Sequence, residues 1–328
     1  MKLPVHSGRI ARIVMVVSAV AWAAIAVITP SAAPAPSTSS KPPGAPSKPG
    51  AALRSSTVTF TVQGRPRRAV VVNASASGAR RPAVIVLHGG AGSADRMREA
   101  SGFDAIARAH GAIVVYAEGT DYGAGRHAWN TGYLLRRQVE GADDIAYFDT
   151  LIDTIVRNHR ADPRRITMTG GSNGGMMTYV YAVTRPTRLA AAAPVVASMF
   201  SFDTVPGAPV PILIINGALD DEVPLEGGMS RNPLVSGAQS APYKPVADVV
   251  AFWVKANRSV PDGVVSTNGT VTTTTYSAGP GGAVTEFVVD SAGGHGWPGT
   301  ADPRAGNQPI TSFDGATRVW QFLADKVR

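Results

Sequence analysis

Thr167-Met168-Thr169-Gly170-Gly171-Ser172-Asn173-Gly174-Gly175-Met176 is the stretch on which the reading of this chain turns. An alternating, β-rich run at residues 165–169 leads into it, and a helical run leaves it. A serine with glycine two positions to either side, between strand and helix, is the Gly-x-Ser-x-Gly pattern of a nucleophile turn. The glycines have a physical cause. A strand that reverses sharply into a helix forces the serine into strained backbone geometry, and side chains at Gly170 or Gly174 would collide with it. The hydroxyl is then held clear of the sheet, and the helix N-terminus points at any negative charge formed there. A phosphate loop or a plain tight turn also uses such glycines, so the pattern needs a second observation beside it.

Histidine positions supply that observation. The chain has six: His6, His88, His110, His127, His159 and His295. When the order along the chain is serine, acid, histidine, the histidine must follow Ser172, and only His295 does. It lies in Gly293-Gly294-His295-Gly296-Trp297-Pro298, directly after the strand-like Thr285-Glu286-Phe287-Val288-Val289. The acid belongs between the two, soon after a strand. Residues 211–216 form an apolar strand followed by Asp220-Asp221-Glu222. Asp220 is nearest the strand end and is the choice by position, with Asp221 the runner-up; Asp203, Asp248 and Asp290 are less well placed.

Around these points strands and helices alternate. Strands are expected at 57–62 and 69–73, joined by a turn at 63–66, then at 82–87, 112–116, 190–196, 211–216 and 284–289. Helices are expected at 94–110, 143–159, 246–257 and 313–327, besides the one after Ser172. Residues 118–140 and 226–243 read as long polar loops. The alternation indicates an α/β fold, a mostly parallel central sheet with helices on both faces, in which ligands bind beyond the carboxyl ends of the strands. His88, Ser172, Asp220 and His295 all fall just past predicted strand ends.

Composition narrows the classes. The chain is 328 residues long with a net charge of +8. Lys2, Arg9, Arg12, Lys41, Lys48 and Arg54 lie in residues 1–55, which hold no acidic residue; without these six, 25 basic face 23 acidic residues. The basic excess sits in the leader, with no arginine stripe or stacking aromatics, so nucleic acid is not an expected partner. No cysteine is present, which excludes disulfides, thiolate metal sites and a cysteine nucleophile. His110, His127 and His159 lack paired ligand spacing, so no metal site is expected, and no nucleotide cofactor motif is present.

The N-terminal 33 residues run basic, apolar, then small, the order of a signal peptide or signal anchor, so export is expected. Cleavage after Ala33 or Ala35 would leave proline first in the mature chain. The uncharged stretch 13–40 also has the length to span a bilayer, about 20 residues being enough; release and membrane anchoring both remain open. Residues 34–55, rich in proline, serine and alanine, read as a linker, and the catalytic domain as 56–328.

The chemistry these residues support is nucleophilic acyl transfer: Ser172 attacks, His295 takes its proton, and Asp220 orients the imidazole. Backbone N–H groups of Asn173 and of the His88-Gly89-Gly90 segment would hold the oxyanion. His88 itself reads as a structural hydrogen-bonding residue. Trp129 and Trp297, both in glycine-containing loops, are either core residues or walls of a substrate site.

At these residues the chain resembles the polyhydroxybutyrate depolymerase/feruloyl esterase family of secreted α/β-hydrolases. Leu87-His88-Gly89-Gly90 is similar to that family's oxyanion segment, Trp129-Asn130 to its Trp-Asn loop, and Asp143-Asp144-Ile145-Ala146-Tyr147-Phe148 to the helix before the elbow. Asp162-Pro163-Arg164-Arg165-Ile166 with Gly170-Gly171-Ser172-Asn173-Gly174-Gly175 is the closest stretch. Gly217-Ala218-Leu219-Asp220 resembles the acid loop, and Gly294-His295-Gly296-Trp297-Pro298-Gly299 the histidine loop. The resemblance implies an α/β-hydrolase fold, a triad of Ser172, Asp220 and His295, and carboxylic ester hydrolysis without a cofactor. Gly90 stands where the family often has a cysteine. Polymer-degrading members carry an added substrate-binding domain, so soluble oligomers or acyl groups on polysaccharide are the expected substrates. Two rival readings are a serine peptidase of the prolyl-peptidase type and a non-catalytic binding protein on the same scaffold.

Overall fold

The computed structural model describes residues 53–73, 78–300 and 309–328. The expected signal segment and nearly all of the expected linker lie outside these residues. Among the described residues, no helix is long and apolar enough to cross a membrane.

In chain order, β1 (Arg54–Val62) and β2 (Arg65–Asn73) form a hairpin, starting two residues before the expected domain boundary. β3 (Arg81–Leu87) follows, then α1 (Ala94–Ser101), α2 (Phe103–His110) and β4 (Ile113–Ala117). The single helix expected at 94–110 is two, because Gly102 takes a left-handed φ of 79° and ends the first while opening the second. Residues 118–140 are not all loop: β5 (Thr120–Asp121) pairs with β6 (His127–Ala128). α3 (Asp144–Asn158) is capped by Asp143, whose carboxylate accepts the Ala146 N–H.

β7 (Ala161–Gly171) runs into α4 (Asn173–Thr184), followed by β8 (Ala191–Val195) and β9 (Ile212–Gly217). Then come α5 (Pro233–Ser236), α6 (Val246–Ala256), β10 (Val264–Asn268), β11 (Val271–Tyr276), β12 (Thr285–Asp290) and α7 (Gly315–Leu323). The β10–β11 hairpin was not expected. Every β10 residue is exposed, so the strand has no apolar alternation to mark it.

The large sheet has the order β1-β2-β4-β3-β7-β8-β9-β12-β11-β10. The run from β4 to β12 is parallel, and antiparallel strands flank it on both sides. Parallel strands are buried on both faces and so read as continuous apolar runs. In β3, Ala83, Ile85 and Leu87 face one core with α3, α4 and α6, while Val84 and Val86 face the other with α1, α2 and α7. This is the α/β-hydrolase fold, and it delivers the carboxyl ends of β3, β7, β9 and β12 to one edge.

Candidate active site

Ser172 sits between the end of β7 and the start of α4 with φ 54° and ψ −122°, a combination that costs a non-glycine residue about 1–3 kcal/mol. Two glycines permit the turn. A Cβ on Gly170 would lie 2.6 Å from the Gly174 carbonyl carbon, and one on Gly174 would lie 2.5 Å from the His88 carbonyl oxygen. The Ser172 N–H bonds to Val195 O at 3.0 Å, and Ser172 O accepts the Met176 N–H at 2.9 Å, closing the first turn of α4. The turn is thereby wedged between the ends of β3 and β8.

Asp220 and His295 meet. β9 and β12 pair in parallel with Gly217 opposite Asp290, and the loops beyond them are cross-bonded: Ala218 N–H to Asp290 O, Leu219 N–H to Gly293 O. Gly217 lies so close to Gly293 that an added Cβ would be 2.4 Å from its carbonyl oxygen. This register puts His295 Nδ1 2.8 Å from Asp220 Oδ2, both side chains fully buried. Asp220 Oδ1 accepts the N–H groups of Glu222 and Val223 at 2.8 and 2.7 Å, so the carboxylate cannot rotate away without losing three partners. The runner-up, Asp221, is exposed and paired with Arg231.

The histidine loop lies against the serine turn, since a Cβ on Gly171 would touch Trp297 Cε3 at 3.6 Å. On the other side, a Cβ on Gly89 would be 3.4 Å from Ser172 Cβ, and one on Gly90 3.7 Å from Asn173 Cβ. Gly90 and Asn173 are therefore neighbours beside the serine, at the N-terminus of α4.

His88 is buried beneath them. It accepts the Gly119 N–H at Nε2, 3.0 Å, which leaves the ring proton on Nδ1 to donate to Gly89 O at 2.7 Å. Burial lowers its pKa to about 4, so the ring is neutral and structural, as expected from sequence.

The two tryptophans take the core alternative. Trp129 is fully buried, donates its indole N–H to His88 O at 2.9 Å and packs on Tyr147 and Phe148. Trp297 is 8% exposed, and its indole N–H bonds to Ser101 O. Both N–H groups are used internally, so the rings brace the loops of the site instead of facing a ligand. The Trp129-Asn130 loop is anchored further by Asp144, which accepts the Asn130 N–H and forms a buried ion pair with Arg67 on β2.

Two segments roof the site. Residues 118–140 and 226–243 are tied by the Leu134–Gln239 bridge, by Leu135 N–H to Ala238 O at 3.0 Å and by Ser240 N–H to Tyr133 O at 2.9 Å. Leu135, in left-handed backbone at φ 55°, leans over the Gly90 segment, its Cδ1 3.2 Å from where a Cβ on Gly90 would be. A cavity of about 240 Å³ runs beside α4, lined by Thr131, Met176, Tyr179, Val180, Met199 and Phe200, and starts one turn beyond Ser172. Among the described residues, no group of three or more histidines or carboxylates is arranged to hold a metal ion.

Sequence reasoning missed Glu222 as a member of the site. Its Oε2 lies 3.3 Å from His295 Nε2. The run of three acids was visible and Asp220 was chosen from it; that Glu222 also turns toward the histidine was not legible.

Residues 67–221 match the family model described as Esterase PHB depolymerase. The NocK protein of Nocardia uniformis subsp. tsuyamanensis, named as an esterase, is 29% identical over 235 residues, covering 68% of this chain and 67% of that protein. Feruloyl esterase B of Piromyces equi is 29% identical over 229 residues, which span 65% of this chain but only 39% of that protein. Among solved structures, an acetyl xylan esterase from Aspergillus awamori superposes with a TM-score of 0.54 over 82% of this chain and 99% of its own, at 15% identity. That likeness is one of fold.

Proposed function

From the premise that this chain carries an Esterase PHB depolymerase domain across residues 67–221 and is a carboxylic ester hydrolase, we propose that it is an exported serine esterase acting through Ser172, His295 and Asp220. The observation that carries this reading is the buried 2.8 Å contact of His295 Nδ1 with Asp220, on a histidine loop that packs through Trp297 against the strained Ser172 turn. In the proposed reaction Ser172 Oγ attacks the ester carbonyl carbon while His295 Nε2 takes its proton. Asp220 holds the Nδ1–H and favours the imidazolium that forms. The oxyanion is met by the backbone N–H groups of Gly90 and Asn173, aided by the positive end of α4. His295 returns the proton to the departing alcohol, and water then releases the acid from Ser172.

The substrates we propose are short hydroxyalkanoate oligomers or feruloyl and acetyl esters of polysaccharide. The cavity beside α4 supports an acyl or alkyl group of modest size, with apolar Met176, Val180 and Phe200 in its wall. Export rests on the basic-apolar-small order of residues 1–33.

The test compares the full chain with its Ser172→Ala variant on soluble hydroxybutyrate oligomers, a feruloyl ester and acetylated xylan, with fluorophosphonate labelling in parallel. Turnover and labelling by the unmutated protein alone support the reading. Equal behaviour of the two proteins on every ester would overturn it.

A further inference from the structure

His295 has a carboxylate at each ring nitrogen. Asp220 Oδ2 is 2.8 Å from Nδ1, and Glu222 Oε2 is 3.3 Å from Nε2. The reaction proposed above requires Nε2 to begin without a proton, since Ser172 delivers one there. An unprotonated Nε2 presents a lone pair, which a carboxylate repels, whereas a protonated Nε2 donates to it. Carboxylates at both nitrogens are therefore the surroundings of an imidazolium.

Glu222 is held in this place from several directions. Its N–H donates to Asp220 Oδ1, its Oε1 lies 3.4 Å from Asn232 Nδ2, and Asn232 N–H donates to Ser230 Oγ in the roof segment. The side chain is 9% exposed. The other titratable groups nearby are Tyr243, whose phenol pKa is pushed up by burial and then by Asp220 and Glu222, and Asp290 at the end of β12, bonded to Ser312. Arg231, the cation of the same roof segment, faces outward onto Asp221 and Glu226.

We propose that Glu222 is a positioning residue that sets the charge of His295, favouring the imidazolium and thereby fixing the lower pH limit of catalysis. The inference rests on His295 serving as the base. Its effect has two sides. In the resting enzyme, Glu222 draws His295 toward the form that cannot accept the Ser172 proton, so activity fails at a higher pH than Asp220 alone would impose. Once the proton has moved, the same carboxylate stabilises the imidazolium while the oxyanion exists.

Glu222→Gln removes the charge and keeps the shape and an acceptor for Asn232. Two measurements on the full chain decide the matter: the pH profile of kcat/KM on a p-nitrophenyl ester, and the titration of His295 followed by nitrogen-15 NMR in a Ser172→Ala background. The expected result is a His295 midpoint lower by about one to two pH units, the usual consequence of losing an opposite charge at this range. The acid limb of kcat/KM should move down with it. Asp221→Asn, at the exposed neighbour, should move neither. A His295 midpoint unchanged in E222Q, or shifted equally in D221N, would overturn the proposal. The NMR measurement reads the ring itself, so it decides even if no ester is hydrolysed; that outcome would instead count against the proposed reaction.

Discussion

Asn173 and Trp129 exchange two hydrogen bonds that join the serine turn to the 118–140 segment: the Asn173 carboxamide oxygen accepts the Trp129 N–H at 2.8 Å, and its Nδ2 donates to the Trp129 carbonyl at 3.2 Å. Asn173 is fully buried, so its side chain is committed to this pairing and only its backbone N–H remains for an oxyanion. Asn173→Ala leaves the buried Trp129 N–H unpaired, while the Trp129 carbonyl keeps the Thr131 N–H, at a cost of about 1–3 kcal/mol. The expected outcome is a lower melting temperature by thermal denaturation, together with a kcat reduced about tenfold because the neighbouring Gly90 segment loses its support.

Gly174 has no room for a side chain. A methyl group there would sit 2.5 Å from His88 O and 2.7 Å from Leu87 O, both backbone atoms that β3 holds in place. Gly174→Ala should destabilise the protein by about 3 kcal/mol or more. Gly207→Ala, where no atom lies within 4 Å, should change stability by less than about 0.5 kcal/mol when both variants are unfolded in urea.

The acids after β9 should separate cleanly. Asp220→Asn removes the charge that faces His295 Nδ1 and should lower kcat by about 10³-fold or more, the scale on which a serine triad loses its carboxylate. Asp221→Asn breaks only an exposed pair with Arg231 and should alter kcat by less than about twofold. Equal effects in steady-state kinetics would contradict the assignment.

His88 makes stability pH-dependent. Unfolded, it takes a proton below about pH 6.5; folded, it resists until about 4. Above pH 6.5 it therefore contributes no pH dependence. Stability falls as the pH drops from 6.5 toward 4, by about 3 kcal/mol in all, and is flat below that. Urea unfolding at pH 7.5 and pH 4 should show a smaller loss in His88→Gln, whose amide keeps an acceptor for Gly119 and carries no titrating charge.

Much of this was legible because the parallel strands are buried on both faces. The apolar runs at 82–87, 211–216 and 284–289 locate β3, β9 and β12, and the residues just beyond them belong to the candidate site. What was illegible has specific causes. Gly102 divides a continuous helical periodicity, and only its positive φ reveals the break. Thr272 to Thr275 form a half-buried strand without an apolar alternation, so β11 and its partner β10 left no trace. Trp129 and Trp297 stood in polar loops, yet each indole found a carbonyl to bond, a fact of three-dimensional packing and not of local pattern. Glu222 needed the same information: a side chain's direction in a turn is fixed by the hydrogen bonds of its neighbours.

The bonds between residues 118–140 and 226–243 make those two stretches a single structural unit, although about a hundred residues separate them in the chain. Anyone grafting the roof of a related esterase onto this scaffold would have to transplant both pieces together. Replacing one alone would leave Leu134 or Gln239 of this chain without its mate. In this chain a change on one side of the bridge would call for a compensating change on the other.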